Sequence, residues 1–153
     1  MNNIQEIILD LDKDLPKYTI ASATKVKAKY IRQTSSIDCF AIANLEVRPY
    51  GNKEIAVFNN QILEIDVGYA VLYPQENSDR DTIETLNTIC QGVIEGIKKA
   101  CLDLDKKPYL IGGIEVIVTD ALYHPVDSRS QCYEIAVCSA LLKVFERVDL
   151  IKL

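Results

Sequence analysis

His124 is the only histidine among the 153 residues, so a Ser–His or Cys–His nucleophile would have to be built on it. Its neighbours in sequence are Asp120, Asp127 and Cys132, but no spacing of a known catalytic signature joins them, and Pro125 follows it directly. That context reads as a turn histidine. The five cysteines, Cys39, Cys90, Cys101, Cys132 and Cys138, contain no C-x-x-C pair, so four zinc ligands would have to be gathered without ligand-type spacing. Gly112-Gly113 lacks the helix-opening context of a phosphate loop and reads as a strand entry or bulge. Asp103 and Asp105 stand beside Lys106 and Lys107 and read as surface charge. No catalytic, cofactor-binding or metal-ligating residue is therefore assigned, and the chain is read as a non-enzyme.

Four tyrosines, Tyr50, Tyr73, Tyr109 and Tyr123, fall at strand ends or turns, where an apolar ring with a polar tip suits either an interface or the rim of the core. Two turn segments combine such groups with arginine. These are Arg48, Tyr50 and Lys53 in one, and His124, Asp127 and Arg129 in the other. Aromatic and arginine side chains are enriched at protein interfaces, so these six are the candidate interface residues.

The elements that must hold them follow from periodicity. Ile4, Ile7, Ile8, Leu11 and Leu15 match an amphipathic helix, with Asn3 and Glu6 at its start and Pro16 as its stop. Residues 25–30 alternate lysines with apolar groups, as a half-buried strand does. Cys39 to Val47 reads as a strand, then Lys53 to Phe58 as a short one and Ile62 to Tyr73 as a long one, with a hairpin or loop arm near 48–60. An amphipathic helix begins at Asp81, whose capping-box spacing to Glu84 marks the start, and runs to Leu104. Gly92 and Gly96 let it lie close on a sheet. Ile111 to Leu122 and Cys132 to Phe145 read as two closing strands, the second central because both faces are apolar.

The sum is a single α+β domain over 1–153. It is a two-layer sandwich, with a mainly antiparallel sheet and an N-terminal helix and one long amphipathic helix on one face.

Composition bounds the task. The chain is 48% hydrophobic and 25% charged with net charge -5, and its longest uncharged stretch, Thr85 to Ile94, is too short to span a bilayer. Charge is unevenly placed: residues 1–16 carry four acids and one base, residues 17–32 five bases and no acid, and the rest 18 acids against 11 bases. The acidic remainder argues against phosphate-backbone binding. The odd cysteine count and apolar neighbours predict five reduced thiols in a cytosolic setting.

From Cys39 onward the layout resembles the tail terminator (tail completion) proteins of long-tailed bacteriophages. The resemblance rests on Asp38-Cys39-Phe40-Ala41-Ile42, on Asp66-Val67-Gly68-Tyr69-Ala70-Val71-Leu72-Tyr73-Pro74, on the helix with Leu86, Ile89 and Val93, on a closing hairpin of Gly112–Leu122 with Tyr133–Ser139, and on the N-terminal helix around Ile4 to Leu15. It implies a structural protein without cofactor that forms a ring, usually of six. Such a ring caps the tail tube, ends its polymerisation and joins the head. The implied partners are further copies, the tail tube protein and a head–neck connector protein. No membrane and no sequence-specific nucleic acid is implied, with DNA passing through the lumen. The implied location is the virion tail or neck, assembled in the host cytoplasm. Rival readings are a head–neck connector or adaptor, a tail tube component, and a small enzyme.

Overall fold

A computed structural model describes residues 3–33, 38–51 and 54–153. Along the chain these form β1 (Ile4–Ile8), β2 (Lys17–Ile20), β3 (Thr24–Arg32), β4 (Cys39–Pro49), β5 (Ile55–Asp66) and β6 (Val71–Leu72). Then follow α1 (Arg80–Leu102), β7 (Leu110–Ile111), β8 (Ile114–Leu122), α2 (Ser130–Arg147) and β9 (Leu150–Lys152). The main sheet has the order β1-β5-β8-β4-β3, with β6 also on β5; a small sheet has the order β7-β2-β9. In the main sheet β5 and β8 are parallel while the other pairs are antiparallel. Parallel neighbours need a crossover between them, and α1 supplies it.

Both helices cover one face of the main sheet. On β4 that face is Ala41, Ala43, Leu45 and Val47, all buried, while Phe40, Ile42, Asn44 and Glu46, partly exposed, and Arg48, exposed, alternate onto the other face. Small side chains set the fit of α2, because Ala28 of β3 and Ala136 and Ala140 of the helix are all buried there. The two helices run in the same direction, since each returns from the end of one of two parallel strands.

The α+β class stands, but its arrangement differs from the predicted one. The N-terminal helix is a strand. Ile4, Ile7 and Ile8 match a helical stripe, yet isoleucine is β-branched and packs well on a pleated surface, and β1 pairs antiparallel with β5 from Ile4↔Asn59 to Ile8↔Ile55. The predicted last strand, Cys132 to Phe145, is the helix α2. Its buried set is Cys132, Tyr133, Ala136, Val137, Ala140, Leu141, Val144 and Phe145, a 3.6-residue stripe that additional apolar residues at Ile135 and Leu142 obscure. The closing hairpin is therefore a strand followed by a helix, and the sheet is mixed rather than mainly antiparallel.

The boundary between two predicted strands also moves. Residues 55–66 are one strand, with a register shift between Asn60 and Glu64, and the stretch read as a strand to Tyr73 turns at Gly68 instead. Gly68 has φ +92, a conformation open to glycine, and its N–H donates to Asp66 Oδ1 at 2.8 Å. The segment 48–60 holds the end of β4 and the first half of β5, with Asn52 and Lys53 outside the described residues. The helix cap is Asp79 rather than Asp81; Asp79 Oδ1 accepts from Thr82 N at 2.8 Å.

Candidate assembly surfaces

The six predicted interface residues split between opposite ends of the main sheet. β4 separates them by eleven residues, roughly 30 Å at the usual strand rise. At its far end Arg48 Nε donates to Glu115 Oε1 at 2.8 Å, and Tyr50 N donates to Gly113 O at 2.7 Å. Glu115 is buried and also accepts from Asn59 Nδ2 at 2.8 Å. Arg48 holds the Glu115 carboxyl below the usual carboxylate range, and Glu115 holds the guanidinium above its own. Lys53 lies outside the described residues.

At the near end His124, Asp127 and Arg129 are brought together in the turn between β8 and α2. His124 Nδ1 accepts from Val126 N at 3.2 Å and Asp127 N at 3.1 Å, and Asp127 Oδ2 lies 3.6 Å from it. Asp127 Oδ2 also accepts from Gln33 Nε2 at 3.0 Å. Arg129 Nη2 donates to Asp38 O at 3.0 Å and approaches Cys39 Sγ at 3.3 Å. These contacts clip the turn to the start of β4, and a disulfide completes the clip: Cys39 and Cys132 are bonded, with Cα atoms 5.6 Å apart. The expectation of five reduced thiols is thereby corrected to three, Cys90, Cys101 and Cys138. An odd cysteine count excludes complete pairing, but it does not exclude one pair brought together by the fold.

Among the described residues the main sheet ends in two different outer strands. β1 ends the sheet on one side and β3 on the other. On β1, Ile8 is 81% exposed and Ile4 44%, with Glu6 exposed between them. On β3 the exposed side chains are Lys25, Lys27 and Lys29, with Ile31 and Arg32 beyond. Lysines on an outer strand discourage unwanted strand pairing, whereas the isoleucines of β1 leave that edge without such a guard. Sequence reading missed β1 as a surface because it placed those residues on a helix. The signal that could have found it is the β-branched share of Ile4-Gln5-Glu6-Ile7-Ile8.

The face of the sheet away from the helices carries a trough of about 460 Å³ lined by Lys25, Lys27, Asn44, Glu46, Thr119 and Asp120, where Asn44 Nδ2 donates to Asp120 Oδ1 at 2.9 Å. Beyond the carboxyl ends of β5 and β8 lies a recess of about 400 Å³ whose walls include Asp79, Asp81, Glu84, Tyr69 and Tyr123. In the helix layer, burial pushes the thiols of Cys90 and Cys101 up to about 12. A thiol so raised is a poor nucleophile at neutral pH. Among the described residues no three His, Cys, Asp or Glu side chains are gathered to hold a metal ion, and no helix is long and apolar enough to cross a membrane.

No family model and no curated protein matches the chain. Among solved structures it is similar to ttk003000868 from Thermus thermophilus, with a TM-score of 0.65 and 22% identity. The match covers 94% of this chain and 18% of that one, so the chain spans under a fifth of that protein's length. At this identity the likeness is one of fold.

Proposed function

We propose that the chain is a structural subunit that assembles with copies of itself, its main sheet continuing from one copy into the next. The observation that carries this reading is the pair of different edges, β1 and β3, that end the same sheet. Among the described residues no further strand pairs with the outer side of either, and such an edge is a template for another strand. Two unlike edges meeting head to tail make a heterologous contact, which closes into a ring when the rotation between copies allows it. A ring is also what the resemblance to tail terminators implies. On that resemblance the ring caps a tail tube, ends its growth and joins a connector of the head, with the tube protein and the connector as partners.

The test is the mass of the purified protein by light scattering, followed by negative-stain imaging alone and with a tail tube protein. The expected result is a multiple of the chain mass, closed rings in the images, and rings seated at tube ends. A particle of single-chain mass at every concentration tested would overturn self-assembly. Rings that never associate with tubes would overturn the tail role and leave self-assembly standing.

A further inference from the structure

The direction of each strand in the main sheet decides how a second copy could add. β8 and β5 run together; β1 opposes β5; β4 opposes β8, and β3 opposes β4. β3 therefore runs with β8 and β1 runs against it. When two copies stand the same way up, side by side, β3 of one meets β1 of the next in antiparallel orientation.

Charge marks the same pairing. The side chains of Lys25, Lys27 and Lys29 share the face of Glu46, Asn44 and Ile42, their partners on β4. Glu6 lies on that same face, opposite Val57, which in turn lies beside Glu115 and Arg48. Among the described residues none of these three lysines holds an ion pair, and neither does Glu6. Two β3 edges would set lysine against lysine, and like charges directly opposite one another are destabilising. Two β1 edges would leave their carboxylates without a cation. Only the mixed pair satisfies both.

We infer that copies join through β1 of one laid antiparallel on β3 of the next, with Glu6 opposite Lys27 and Ile8 opposite Lys25; this rests on the self-assembly proposed above. Register follows from length and face. The stretch from Glu6 to Ile8 fits wholly within the nine residues of β3 in this alignment. Glu6 then has Lys27 directly across and Lys25 and Lys29 as diagonal neighbours, within reach of long side chains. A slip of one residue turns Glu6 to the helix side, and a slip of two either way removes one of the three ammonium groups or part of the overlap. The aliphatic stem of Lys25 lies over Ile8 while its charge stays in water.

Charge reversal tests the contact. Glu6→Lys and Lys27→Glu are each expected to weaken assembly by roughly tenfold or more, with a melting curve and circular dichroism like the wild type. An equimolar mixture of the two is expected to assemble again. Where their edges meet, the new ammonium group of one variant faces the new carboxylate of the other, and at the alternate contacts the native Glu6 faces the native Lys27. Glu6→Gln and Lys27→Gln, which keep size and drop charge, are expected to show the same order with a smaller loss. If the wild type assembles and both reversals assemble equally well, or their mixture stays at single-chain mass, this contact is wrong while self-assembly stands. A wild type of single-chain mass removes both.

Discussion

At the scale of single residues, Glu115 is the group with the most at stake. It is a buried carboxylate on the open face, and its charge is held by Arg48 Nε and by Asn59 Nδ2, whose own oxygen Oδ1 accepts from Gln61 Nε2 at 2.8 Å. The hydrogen bond from Arg48 is the main cause that lowers the Glu115 pKa, with burial pulling the other way. A carboxylate whose folded value lies below its unfolded one adds stability above the ordinary carboxylate range. That stability is lost as pH falls through the folded value. Glu115→Gln is therefore expected to be less stable than wild type at neutral pH, with the gap closing in acid. Denaturant melts at a series of pH values check this; a gap independent of pH would show that the charge of Glu115 does not contribute.

At the scale of elements, the contact between α1 and α2 depends on two missing side chains. A Cβ at Gly92 would stand 2.2 Å from Ser130 O and 2.7 Å from Tyr133 Cβ, and one at Gly96 would stand 2.8 Å from Glu134 O and 2.9 Å from Val137 Cβ. These glycines allow close approach, as their spacing suggests, but to a neighbouring helix and not to a sheet. Alanine would improve helix propensity by roughly 1 kcal/mol, while overpacking of a filled interface costs about 1–3 kcal/mol. The steric term wins because the nearest atoms are backbone oxygens, which can yield only if the helices separate. Gly92→Ala is expected to lower stability and to lower it more than Gly96→Ala does, as read from denaturant midpoints.

At the scale of the whole molecule, the disulfide joins two layers. Cys39 opens β4 and Cys132 lies in the first turn of α2, 93 residues later. A cross-link over so long a loop restricts the unfolded chain, and removing one typically costs about 2–5 kcal/mol. Thiol counting under denaturing, non-reducing conditions is expected to give three, rising to five after reduction. Five without reductant would remove the cross-link. Cys39→Ala is expected to lose stability in that range without loss of the fold, since the hydrophobic core extends through both helices and the main sheet.

Several elements were legible in the sequence because their signals are local. The alternation of lysines with apolar groups marks β3, the turn chemistry around Pro125 marks the segment holding His124 and Arg129, and the long stripe from Ile83 onward marks α1. Other elements were not, because their apolar residues satisfy two periods at once. Ile4, Ile7 and Ile8 suit either a helix or an outer strand, and only pairing with β5 decides between them. In 132–145 nearly every position is apolar, and only the layer that α2 completes over β3 and β4 selects the helical stripe. β2, β7 and β9 are too short to announce themselves and exist through one another. Of the candidate site, the charge asymmetry between residues 1–16 and 17–32 is written in the sequence. That β1 of the first stretch and β3 of the second become opposite edges of one sheet is decided by tertiary structure alone. Strand order is set by which faces must be buried together, and no window of the sequence contains that condition.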